Sequence, residues 1–177
     1  MCNFLSAIVR KNGDLHFNLW TDSHEDLIQL FALRDNREGN FARVEFTPKD
    51  PADLDKPEKY HLKIDEARGP DWFDESMKAK IVGRLRRVIE SMIVRGEVVC
   101  LIGGVHILAT GAKISFIKNC RIVAMLGSSN VGEMLGSSNV VALLDSSKVG
   151  EMRGSSNVGK MRGSSKVGEM WDRSNVG

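Results

Sequence analysis

A chain of 177 residues, 42% hydrophobic and 27% charged, has the composition of a soluble globular protein and is long enough to bury a core without staples. Its net charge of +2 excludes bulk electrostatics as the selector of a nucleic-acid, membrane or acidic partner. Three cysteines, Cys2, Cys100 and Cys120, form an odd set without metal-ligand spacing, and no apolar stretch approaches the roughly 20 residues of a membrane helix; both point to a reduced, cytoplasmic protein with no disulfide framework.

In chain order, Asn3–Arg10 and Leu15–Trp20 are short, partly alternating apolar runs on either side of Asn12-Gly13. That dipeptide suits the positive φ angles of a tight primed turn, so the pair is expected to form a β-hairpin. A helix comes next, capped by Asp22 or Ser23, with Glu25 and Asp26 at its positive end. Leu27, Ile28, Leu30, Phe31 and Leu33 are expected to form its buried face. Ala42–Pro48 and Tyr60–Glu66 alternate as strands, separated by a charged segment that carries three of the four prolines. The strongest helix pattern spans about Asp74 to Val94, where Ile81, Leu85, Val88, Ile89 and Met92 share one face. Lys80, Arg84 and Arg87 lie on the opposite face. The order strand–strand–helix–strand–strand–helix predicts an α+β unit over residues 1–96, with a mostly antiparallel sheet and a last helix that caps the C-terminal half of the chain.

Residues 97–177 are repetitive. Val131, Val140, Val149, Val158, Val167 and Val176 recur every nine residues, as do Met125, Met134, Leu143, Met152, Met161 and Met170. Gly and Ser in every copy disfavour helix. The charges double the period: SSKVGEM occurs at Ser146–Met152 and Ser164–Met170, with SSNVGKM between them. The expected structure is a parallel β-solenoid with 18-residue coils of two strands, Val and Met inside and Gly-Ser-Ser at the corners. Earlier apolar runs, 105–107, 114–116 and 122–125, read as degenerate coils of the same solenoid, with Cys100 and Cys120 as small core side chains. Val131, Val149 and Val167 should stack on one sheet and Val140, Val158 and Val176 on the other.

Several residues are candidates for function. Lys148 and Lys166 fall in one column of the solenoid and Glu133, Glu151 and Glu169 in another on the same face, either a solubilising surface or a docking surface. Lys80, Arg84 and Arg87 form a basic stripe, but no aromatic residues interleave with it and Glu90 adjoins it, which argues for a solvated face over nucleic-acid binding. Asp22-Ser23-His24-Glu25 is explained by helix capping, because adjacent residues do not face each other on a helix. His16, His61 and His106 have no ligand spacing, and no motif for a metal, nucleotide or other cofactor is present. The chain stops at Asn175-Val176-Gly177 without a polar capping helix. Its last strand is therefore expected to offer an open edge, and Trp171 and Val176 to form the interface of a homodimer joined tail to tail.

These residues carry three resemblances. The nonapeptide period is similar to that of RTX proteins, but in period and architecture alone: the turn positions here are mainly Gly, Ser and Asn, so calcium is not implied. Cys2 after Met1 resembles the nucleophile of N-terminal-cysteine hydrolases and class II amidotransferases, whose own α-amine acts as base. The chain continues Cys2-Asn3-Phe4 where those families continue Cys-Gly-Ile. The opening MCNFLSAIV, the SHEDLI stretch and the GSS-x-VG-x-M tail together resemble repeat-tailed proteins of bacteria and their phages. That likeness implies a phage accessory or anti-defence factor that acts on a host protein. The leading expectation is a non-catalytic binding or assembly protein, with a Cys2 hydrolase as the alternative.

Overall fold

The computed structural model describes residues 5–34, 39–66 and 69–177. The chain divides into two compact units, Met1–Glu90 and Ser91–Gly177, each with its own core.

The first unit is built on an antiparallel sheet of β1 (Leu5–Arg10), β2 (Leu15–Phe17), β3 (Phe41–Pro48) and β4 (Tyr60–Ile64), in the order β2-β1-β3-β4. The hairpin forms, but through a three-residue loop in place of the tight primed turn: of Asn12 and Gly13 only Gly13 has positive φ, +84°, the Gly13 N–H donates to the Arg10 carbonyl at 2.8 Å, and the Asn12 side chain accepts from the Asp14 N–H at 3.0 Å. Helix α1 (His24–Leu30) begins at Ser23, whose hydroxyl accepts from the Asp26 N–H at 3.2 Å. The helix is only two turns long. Leu27 is fully buried beside Ile8 and Phe41, and Ile28 and Leu33 pack against that cluster. Leu30 and Phe31 do not join the buried face expected of them; they are 57% and 37% exposed. Helix α2 (Glu75–Met92) buries Ile81, Leu85 and Ile89, one per turn along a single stripe.

The second unit is a parallel β-solenoid. One sheet contains β6 (Glu97–Ile102), β8 (Lys113–Lys118), β10 (Asn130–Leu135), β12 (Lys148–Met152) and β14 (Lys166–Met170), stacked in that order. The other contains β5 (Ile93–Val94), β7 (Val105–Leu108), β9 (Arg121–Met125), β11 (Asn139–Leu143), β13 (Asn157–Met161) and β15 (Asn175–Val176). Every pairing within these two sheets is parallel and joins one coil to the next. Val131, Val149 and Val167 are in register on the first sheet, and Val140, Val158 and Val176 on the second.

The core consists of these Val columns with Met134, Met152, Met125 and Leu143, closed at one end by Ile114, Ile117 and Ile122. Coil length adjusts where the repeat is degenerate. Glu97 stacks on Lys113, sixteen residues on, whereas the later coils repeat at eighteen, as between Gly127 and Asp145.

The corners explain the recurring small residues. Ser129, Ser138, Ser147 and Ser156 are all buried, and each continues the ladder by accepting at its carbonyl from the N–H of the next coil. Cys120 takes the same corner position one coil above Ser138, with its thiol directed at the carbonyls of Gly103, 3.1 Å away, and Leu101, 3.2 Å away. Burial pushes that thiol above its ordinary pKa. Cys100 is a correction to the sequence reading: it faces outward and is exposed, because it is in register with Phe116 and Glu133 rather than with the Val or Met columns.

Candidate functional site

The outer face of the first solenoid sheet presents the most regular arrangement of chemical groups on the described residues. Burial fixes it: Val149 and Met152 are buried while Lys148 and Gly150 are exposed and Glu151 is partly so. Because Val and Met stand three residues apart, the strand departs from strict alternation between them, leaving the residue before each Val and the residue before each Met outward. The first position forms a column of Glu97, Lys113, Asn130, Lys148 and Lys166. The second forms a column of Cys100, Phe116, Glu133, Glu151 and Glu169. Between them run Val99, Ser115, Gly132, Gly150 and Gly168. The glycines leave a trough floored by bare backbone. Its upper part is a groove of about 360 Å³ bordered by Val99, Lys113, Ser115, Asn130 and Gly132.

Like charges therefore stand in register with like. Strand spacing sets stacked residues about 4.8 Å apart, where equal charges repel. Lys148 pairs in register with Lys166, and Glu133, Glu151 and Glu169 form an acidic ladder. Only some of this is relieved within the chain. Arg153 Nη2 meets the Glu151 carboxylate at 2.7 Å, and that carboxylate holds the guanidinium pKa above its ordinary value. Lys113 Nζ meets Glu97 at 2.9 Å, which lowers the Glu97 pKa and raises that of Lys113. No ion pair among the described residues bridges the Lys148–Lys166 column to the Glu133–Glu169 column.

At β6 this face turns apolar. Val99 and Ile102 are each 72% exposed, beside the exposed Cys100. The sequence reading missed them, since EVVCLI looks like a buried strand. The available signal was the register with Glu133, which marks the Cys100 position as outward. At the other edge, Met170 and Trp171 are 43% and 55% exposed, although Met170 belongs to the inward column. Val176 is half-buried on β15.

The remaining candidates disperse. Arg84 Nη1 donates to the Gly13 carbonyl at 2.7 Å, so this member of the basic stripe ties α2 to the hairpin turn. Lys80 and Arg87 are exposed on α2. His24 is buried, with Nδ1 3.2 Å from the Asp65 carboxylate and Nε2 3.1 Å from the Val44 carbonyl, which makes it a clamp between α1 and the sheet. Ser23 and Asp26 serve the helix cap. Cys2 lies outside the described residues. Among the described residues no three His, Cys, Asp or Glu side chains converge, and no helix is long and apolar enough to cross a membrane. Comparison with family models, with curated proteins and with solved structures returns no match.

Proposed function

We propose that this chain is a non-catalytic binding and assembly protein. The solenoid serves as scaffold and oligomerisation surface, and the α+β unit supplies recognition of another molecule. The observation that carries the reading is the exposure of Met170, the last residue of β14, and of Trp171 just after it; β14 is an edge strand of its sheet, while β15 is the edge of the other. An edge strand offers unpaired N–H and C=O groups, and large apolar side chains on it favour occupation by a partner. A second copy fits. Two β14 strands paired antiparallel, with Val167 opposite Met170, join inward side chains to inward side chains and extend the core across a two-fold axis.

The likeness of the opening segments and the tail to repeat-tailed proteins of bacteria and phages supports a cytoplasmic phage accessory or anti-defence role, with a host protein as the further partner. Light scattering tests the assembly reading. The intact protein is expected to be a dimer at micromolar concentration and Trp171→Ala to dissociate. An intact protein that shows no association through this strand, with Trp171→Ala identical to it, would leave Trp171 as a cover for its own coil.

A further inference from the structure

The Lys, Gly and Glu columns of the first solenoid sheet form a pattern that is complementary to itself. Consider two copies placed face to face, with a two-fold axis parallel to the stacking direction and midway between the Lys and Glu columns. Such an axis reverses the strand direction but keeps coil height. Lys148 of one copy then faces Glu151 of the other, Lys166 faces Glu169, and Asn130 faces Glu133. Both copies make the same contacts, as an isologous interface requires. A two-fold along the strands would set Lys against Lys, so the charge pattern selects the first axis.

We propose that this face is a docking surface for a second copy of the chain in that arrangement. The inference rests on the reading of the solenoid as an oligomerisation surface and adds a contact independent of Trp171.

Three observations support it. Lys148 and Lys166 are in register with each other and make no ion pair among the described residues; neither do Glu133 and Glu169. The facing columns would relieve both repulsions at once. Along the trough between the columns the exposed Val99 would approach Val99 of the other copy, which removes apolar surface from water. The face carries interleaved charges of both signs, Lys113, Lys118, Lys148, Arg153 and Lys166 against Glu97, Glu133, Glu151 and Glu169. This near balance suits a copy of itself better than a strongly acidic or basic partner.

Five strands about 4.8 Å apart and five residues of about 3.3 Å make a face of roughly 400 Å². Two such faces bury at most about 800 Å² in total, below the roughly 1,000 Å² of a stable interface, so the contact is expected to be weak, reversible and sensitive to salt.

The test is a charge exchange. One variant carries Lys148→Glu and Lys166→Glu, the other Glu151→Lys and Glu169→Lys. Both are made in the intact protein and in the Trp171→Ala background, and circular dichroism checks that the solenoid is retained. In the Trp171→Ala background the face contact is expected to give a dimer whose Kd rises about tenfold or more from low to high salt. Each charge variant alone should be monomeric, and an equimolar mixture of the two should dimerise again. A Trp171→Ala protein that stays monomeric up to about 1 mM at low salt overturns the proposal. So does a mixture that stays monomeric while the parent dimerises. Loss of all association on Trp171→Ala removes the face and keeps the β14 contact. Unchanged association in Trp171→Ala, with rescue on mixing, removes the β14 contact and keeps the face.

Discussion

Ser147 and Ser156 occupy the same place in the repeat, yet their replacement by alanine should move stability in opposite directions. Both are fully buried. At the Ser156 corner the hydroxyl lies within hydrogen-bond reach of the Arg153 carbonyl and, at 3.2 Å, of the Met134 carbonyl. At the Ser147 corner the hydroxyl meets no partner, and the equivalent Leu144 carbonyl accepts from the backbone N–H of Ser147 at 3.1 Å. Ser156→Ala therefore removes a made hydrogen bond and weakens the satisfaction of a buried carbonyl, a loss of about 1–2 kcal/mol. Ser147→Ala removes a hydroxyl that was desolvated without compensation, so the change should lie between neutral and about 1 kcal/mol stabilising. For a chain of this length each kcal/mol corresponds to about 2–4 °C in Tm. Urea unfolding followed by far-UV circular dichroism, with equal m-values in parent and variants, measures both. If Ser147→Ala costs as much as Ser156→Ala, the two corners are equivalent in solution and the reasoning from their hydrogen bonds fails.

Other substitutions probe the same architecture. Gly150→Ala should cost about 1–3 kcal/mol, because an added Cβ would lie 2.6 Å from the Gly132 carbonyl oxygen of the neighbouring coil; a neutral result in urea unfolding would mean the coils are farther apart. Asp145 sits at φ +57° and its carboxylate accepts from the Gly127 N–H at 3.0 Å, so Asp145→Ala should lose about 1–2 kcal/mol while Asp145→Asn stays within about 0.5, as thermal melts would report. Alkylation followed by peptide mapping should label Cys100 rapidly and Cys120 only on unfolding, since Cys120 is buried and its raised pKa leaves less thiolate at pH 8; equal rates would contradict the register that separates them.

The solenoid was legible in the sequence because, in a repeat, the spatial neighbour of a residue is its own equivalent one coil away. Local pattern and long-range contact are then the same information. The alternation of SSKVGEM with SSNVGKM was enough to set an 18-residue coil and to place Val149 between Val131 and Val167. The hairpin at Asn12-Gly13 and the cap at Ser23 were legible for a different reason: each depends on φ preferences or hydrogen bonds within a few residues. Tertiary structure alone decided the rest. Arg84 reads as a surface cation until the fold brings it to the Gly13 carbonyl, 71 residues away. Leu30 and Phe31 follow the helical period, but Leu30 is left exposed and Phe31 lies against the His16 ring, 4.9 Å between centroids, outside the buried cluster. Cys100 and Cys120 both sit in apolar runs, and only strand register sends one outward and the other into a corner. Likewise, identical serines differ: the hydroxyl reaches a carbonyl at the Ser138, Ser156 and Ser174 corners but not at Ser147, and the backbone geometry of each turn decides which.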